Sequence, residues 1–148
     1  LQLLRTTLED AERETVERYF APLTRAIRPA IEMLFPRADL RMNEDFTLDG
    51  LTRGRTEEKI EHLSDGTREQ LAVLVRLGFA DMLQAQGRPA MLVLDDALCF
   101  SDAARTDRLF NILTDAAKRM QIVIMTCRAE QFLDLSARCL RLETAPAV

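Results

Sequence analysis

Two short stretches of the chain hold residues able to do chemistry on phosphate. Asp95 and Asp96 close the apolar run Ala90 to Leu94, and Ser64, Asp65 and Gly66 precede a long hydrophobic stretch that begins at Thr67. Paired carboxylates after an apolar strand suit a hard cation held against phosphate, because Mg²⁺ takes oxygen ligands and keeps much of its water. Taken alone, the pair also fits a polar strand end closing into a loop. A helix opening near Ser64 has first-turn amides without internal partners, aligned with the positive end of its dipole, so an anion is welcome there. Gly66 has no side chain to block the approach, and the Ser64 hydroxyl has a proton to offer a phosphate oxygen. The same residues read equally as a plain helix start, in which Thr67 with Gln70 forms a capping box, or Ser64 or Asp65 caps.

A second apolar run, Ile122 to Met125, ends in Thr126-Cys127-Arg128. Continuous apolar runs suit central strands covered on both faces. In open parallel sheets ligands collect beyond the carboxyl ends of the strands, which makes this shared edge the candidate site. Arg128 stands there either as a phosphate contact or as a plain surface residue. Asp102 to Met120 reads as the helix of a β-α-β unit, with Leu109, Phe110, Ile112, Leu113 and Ala116 inward.

The elements that must hold these residues follow from periodicity. Leu1 to about Leu34 reads as helix, with Leu1, Leu4, Leu8 and Ala11 forming a short coiled-coil-like seam and Val16, Phe20, Leu23, Ile27, Ile31 and Leu34 turning towards a globular body. Pro22 and Pro29 are expected to kink or interrupt it. Asp39 to Asp49 alternates as a hairpin with a turn at Asn43-Glu44-Asp45, and Gly50 to His62 reads as strand fragments and exposed loop. Thr67 to about Gln86 is apolar on most sides and so is buried between other elements; Gly87-Arg88-Pro89 stops it. A short helix near Ala129 to Leu135 and a strand near Cys139 to Leu142 are expected to finish the sheet.

With 148 residues and a formal net charge of -4, the chain is sized for one core and is not built for a whole-surface grip on nucleic acid. Cys99, Cys127 and Cys139 lack the close pairing of zinc or redox motifs and read as reduced, mostly buried thiols, with Cys99 and Cys139 packing as small apolar groups. His62, the only histidine, reads as a solvated loop residue. No run is long enough to span a membrane, and a cytoplasmic location is expected. Beginning at Leu1 in mid-pattern, the chain reads as a piece of something longer.

The order of these features resembles the C-terminal lobe of the SMC, RecN and double-strand-break-repair branch of ABC ATPases. The likeness covers nearly the whole chain and is greatest to bacterial YhaN-like members, on a signature at Leu63 to Gln70 and a paired-acid Walker B motif, Leu94-Asp95-Asp96-Ala97-Leu98. It implies an α/β fold, a partial P-loop NTPase with a parallel sheet flanked by helices, in which residues 1–36 end a coiled coil and residues 37–148 form the lobe. It further implies that Ser64 and Gly66 touch the γ-phosphate of ATP held by the opposite protomer. Asp95 would hold Mg²⁺ through water, Asp96 would activate the attacking water, and Ser101-Asp102 would be the D-loop crossing the dimer interface.

The implied partners are an N-terminal lobe of the same protein, a second head in a homodimer, and DNA with a nuclease, in DNA repair or chromosome maintenance. No Gly-x-x-x-x-Gly-Lys-Ser/Thr loop occurs, so the chain alone has no phosphate cradle and is expected to hydrolyse ATP only with that N-terminal lobe. Two positions depart from the family pattern. Asp96 stands where Glu is common, one methylene shorter, which predicts slow turnover, and Cys127 stands where the switch histidine would fall. Two rival functions are a degenerate, non-catalytic interaction module and a receiver-like phosphoacceptor domain; against the latter, no Lys follows the later strand.

Overall fold

The computed structural model describes residues 2–15, 18, 21–43, 47–98 and 102–142. Helix α1 (Gln2–Thr15) carries the seam: Leu3, Leu4, Leu8 and Ala11 are all exposed. Helix α2 (Ala21–Leu34) follows. Pro22 lies in its first turn, where a missing amide costs little, and so opens the helix instead of kinking it. The helix also runs through Pro29 without the expected interruption, because Leu23, Ile27, Ile31 and Leu34 on its inner face are buried against the core and hold it there.

Strands β1 (Ala38–Met42), β2 (Leu48–Arg53) and β3 (Thr56–Lys59) form an antiparallel sheet in that order, with Leu40 opposite Leu51. The expected hairpin is therefore present. Asn43 and Thr47 brace its end through Asn43 N–H to Thr47 O at 3.0 Å and Thr47 N–H to Asn43 Oδ1 at 2.9 Å, while Glu44 and Asp45 of the expected turn lie outside the described residues. A short 3-10 turn (Ile60–His62), with His62 exposed as expected, leads into helix α3 (Asp65–Ala85).

Helix α3 is the centre of the core. Leu71, Val73, Leu74 and Leu77 are buried, and Gly78 lets α2 approach so closely that an added Cβ would lie 2.0 Å from Ile27 Cγ2. The helix ends as its sequence predicts: Gly87 takes a left-handed φ of 73°, and Arg88 N–H donates to Leu83 O at 3.0 Å. Strand β4 (Met91–Asp95), helix α4 (Ala103–Ala116) and strand β5 (Gln121–Met125) form the β-α-β unit, with β4 and β5 parallel and in register from Met91 opposite Gln121 to Asp95 opposite Met125.

Four further expectations fail or fall short. The parallel pair is covered on one face: Leu92 and Leu94 are buried, but Met91, Val93 and Met125 are 56%, 44% and 43% exposed. The run Cys139 to Leu142 forms no strand, and Leu140 and Leu142 stand 72% and 90% exposed, since a strand exists only where a ladder partner accepts its amides. Cys127 and Cys139 are exposed, because one follows the open strand end and the other lies in that unpaired tail; Cys99 is outside the described residues. The helix expected at Ala129 to Leu135 is a 3-10 turn, Ala129–Phe132. No helix among the described residues is long and apolar enough to cross a membrane.

Candidate functional site

Ser64 caps α3. Its backbone is extended (φ -62°, ψ 154°), and its Oγ accepts the Thr67 N–H at 3.3 Å, which satisfies one of the helix's orphan donors. Thr67 lies inside the helix, so the alternative box of Thr67 with Gln70 does not form; Gln70 is buried instead, at 1% exposure. The Ser64 and Thr67 hydroxyls are 2.9 Å apart, and Arg105 Nη1 donates to Thr67 Oγ1 at 3.2 Å. Asp65 is exposed and paired with Arg68, while Gly66 is buried in the first turn.

Asp102 plays the matching part on α4. It caps the helix by accepting the Arg105 N–H on Oδ1 at 3.0 Å, and its Oδ2 holds Arg105 Nε at 3.3 Å. The Arg105 guanidinium also lies 5.5 Å from the centroid of the buried Phe35 ring, a distance at which a cation is attracted to an aromatic face. One side chain thus joins Asp102 to the Ser64-Thr67 pair. Ser101 is outside the described residues.

The two acids stand at the carboxyl end of β4. Asp95 is exposed and, by strand alternation, shares the bare face with Met91 and Val93. Asp96 donates its N–H to Met125 O at 2.8 Å, extending the ladder by one bond, and then turns left-handed with φ 45°. Asp tolerates that region because its short polar side chain bonds locally, but Leu98, at φ 74°, does not. A left-handed leucine costs on the order of 1–2 kcal/mol, and burial of Ala97 and Leu98 in the core holds the turn in place. The turn brings the Asp96 carboxylate to the end of β5, where the Cys127 thiol donates to Oδ1 at 3.6 Å. Arg128 follows, exposed, with its N–H on Thr126 Oγ1 at 3.0 Å.

Among the described residues no group of three or more His, Cys, Asp and Glu side chains converges as a metal cage. The acid pair still fits Mg²⁺, which is commonly held by one or two carboxylates together with water and substrate phosphates. The sequence offers Thr67 only as a possible helix cap and does not single out Arg105; the opposite charges of Asp102 and Arg105 three residues apart are the available signal. Nothing in the spacing of Cys127 from Asp96 announces their contact, which depends on β4 and β5 pairing in register.

Known proteins of similar fold settle the architecture. An SMC ATPase structure, described as concerning ATP-driven dimerization and DNA-stimulated activation, superposes with a TM-score of 0.67 at 18% identity, over 93% of this chain and 85% of that one. The chain folds as the C-terminal lobe of an SMC-type ATPase head. The SMC head domain from Thermotoga maritima matches with a TM-score of 0.55 at 18% identity, over 83% of this chain and 43% of that one. An SMC head with coiled coil and joint from Pyrococcus yayanosii gives 0.58 at 17%, over 88% and 26%. In sequence, the DNA double-strand break repair Rad50 ATPase of Thermoplasma acidophilum is 28% identical over 122 residues, and an uncharacterized Mycobacterium tuberculosis protein is 28% identical over 117. The chain spans 13% of the length of either relative. No protein-family model matches it.

Proposed function

We propose that the chain is the lobe of an ATP-hydrolysing SMC-like head that supplies half of a composite site and closes on nucleotide held by a second head. The observation that carries this reading is the acid pair Asp95-Asp96 at the carboxyl end of a parallel strand pair, in a chain with the SMC-type fold. Asp95 would hold Mg²⁺, whose charge offsets that of the phosphates. Asp96 accepts a proton from, or orients, the attacking water, a role that requires hydrogen-bond reach of about 2.6–3.2 Å. The Cys127 thiol fixes the rotation of that carboxylate from the neighbouring strand, standing in for the switch histidine.

Ser64 and the amides around Gly66 face the γ-phosphate of the nucleotide held by the opposite head, and Asp102 lies along the dimer interface. Arg128 is a further phosphate contact at the strand edge. The bare face of β4 and β5, with Met91, Val93 and Met125 outward, is covered by an N-terminal lobe that brings the phosphate-binding loop. Residues 1–36 form the root of a coiled-coil arm and residues 37–148 the lobe proper. The names of the Rad50 relative and of the SMC structure mention DNA, which supports DNA as what the motion acts on; a role in repair or chromosome maintenance, a cytoplasmic location and a nuclease partner complete the proposal.

The test uses the full-length protein with both lobes present. Ser64→Arg abolishes ATP-driven head dimerisation measured by analytical ultracentrifugation, because a long cation fills the phosphate approach at the α3 cap. Asp96→Asn keeps dimerisation and lowers phosphate release by about 100-fold or more, the lower bound of what a general base contributes. Dimerisation unchanged by Ser64→Arg would sink this reading. Background phosphate release from the wild type, unchanged by Asp96→Asn, would favour the degenerate module, which the shorter acid at Asp96 and the thiol at Cys127 already motivate.

A further inference from the structure

We infer that Arg105 is a positioning residue that decides, through Thr67, which way the Ser64 hydroxyl proton points, an inference that rests on the phosphate-facing role proposed above for Ser64. Two hydroxyls 2.9 Å apart can share a proton in either direction. If Ser64 donates to Thr67, its only proton is spent inside the protein and the cap presents bare lone pairs to an incoming anion. If Thr67 donates to Ser64, then Ser64 accepts twice, from the Thr67 hydroxyl and from the Thr67 N–H at 3.3 Å, and its own proton is left for an outside acceptor.

Arg105 selects the second arrangement. Its guanidinium is permanently charged and has donors only, and Nη1 occupies a lone pair of Thr67 Oγ1 at 3.2 Å. A cation on that oxygen polarises the threonine O–H, making it a better donor and a poorer second acceptor, and hydrogen bonds in such a chain reinforce one another. The order is therefore Arg105 to Thr67 to Ser64 to phosphate, with every donor pointing outward.

The guanidinium is held for this task from three sides. Asp102 Oδ2 takes Nε at 3.3 Å, the Phe35 ring lies beneath at 5.5 Å, and Thr67 receives Nη1. Phe35 and Thr67 are both nearly inaccessible, at 3% and 5%, so the contact sits at the junction of α2, α3 and α4 and is no chance meeting of loose surface chains. Asp102 and Ser64, both proposed to face the partner head, are coupled through this one side chain.

The experiment measures ATP-driven dimerisation of the full-length protein, with the urea midpoint recorded for each variant. Arg105→Gln and Thr67→Val are each expected to weaken dimerisation about tenfold, the loss of one oriented hydrogen bond. The double variant is no worse than either single one, since both cut the same chain. Thr67→Ser, which keeps the hydroxyl, dimerises as wild type does; a merely structural role for Thr67 would not separate Ser from Val in this way. Should Arg105→Gln fail to fold, the two Thr67 variants decide the matter, because Val keeps the shape of threonine. A wild-type protein that dimerises on ATP while Arg105→Gln or Thr67→Val dimerises equally well overturns the relay and leaves the proposed function standing, as do additive losses in the double variant. A wild-type protein that fails to dimerise on ATP overturns both.

Discussion

Helix α3 and the strand pair β4 and β5 are both rich in apolar side chains, and they come to different ends. Around α3 the apolar surface is spent: Leu71, Val73, Leu74 and Leu77 are buried beneath α2 on one side and join Leu92, Leu94 and Leu109 in the same core cluster on the other. In β4 and β5 only half is spent, and Met91, Val93 and Met125 face outward. Hydrophobicity along a sequence thus says that a surface is to be covered and leaves open what covers it. For α3 the cover lies within the chain, and for the strands we place it in an N-terminal lobe.

That comparison is broken most directly at Leu74, which is fully buried. Leu74→Ala is expected to cost about 2–5 kcal/mol in urea denaturation, the range for deleting a buried leucine where the surroundings close only in part. A loss below about 1 kcal/mol would mean that α3 is no better covered than the strands.

Gly78→Ala comes next. Its Cβ would fall 2.0 Å from Ile27 Cγ2 and 2.9 Å from Leu23 Cδ1, so α2 must move. Overpacking of this kind costs about 1–3 kcal/mol, set against the gain of roughly 1 kcal/mol from replacing a helical glycine. Adding Ile27→Ala removes the colliding branch, so the double variant should lose less than the sum of the two single losses. Additive losses would place the strain elsewhere than the α2–α3 contact.

How much of this was legible depends on where the deciding contact lies. The cap at Ser64, the stop at Gly87 and the β1–β2 hairpin are local, and their residues announce them. Asp95 and Asp96 were legible as strand-end acids because the five apolar residues Ala90 to Leu94 precede them. The bare face of β4 was not, since an apolar run reads the same whether its cover is in the chain or outside it. Pro29 was misjudged for a related reason: propensity counts the missing amide and not the four buried side chains that hold α2 together. The Arg105 relay and the contact of Cys127 with Asp96 join residues 38 and 31 positions apart, and only the folded topology supplies such distances.

A smaller effect tests the far rim of the helical side. Arg119 grips Asp81 with two bonds, Nε to Oδ1 at 2.7 Å and Nη2 to Oδ2 at 2.9 Å, and so ties the end of α4 to α3. The hydrogen bond that Arg119 donates to Asp81 raises the guanidinium's affinity for its proton, and the one from Lys118 holds the Asp115 carboxyl below its ordinary range. A depressed carboxyl stabilises above its unfolded value, and that contribution disappears as pH falls through the folded one. Arg119→Met is expected to cost about 0.2–1 kcal/mol at neutral pH, as partly exposed pairs do, and less in high salt. Asp115→Asn should flatten the acid limb of the stability curve slightly; an unchanged limb would mean that the Lys118 contact of Asp115 adds nothing to stability.

The smallest effect is the most discriminating. Val93 is 44% exposed on the bare face, so Val93→Thr should change the stability of this chain by no more than about 0.5 kcal/mol. Threonine keeps the shape and the β propensity of valine, which leaves the added hydroxyl as the only difference. Exposed, that hydroxyl is solvated and costs nothing. In a protein that also carries the proposed N-terminal lobe, the same hydroxyl would be buried against apolar cover without a partner, at a cost of about 1–3 kcal/mol. Equal effects in the two settings would mean that the face stays open in the longer protein and that α3 and the strand pair differ by design rather than by completeness. A larger loss only in the longer protein would mean that both regions follow one rule, that apolar surface is covered, and differ in where the cover comes from.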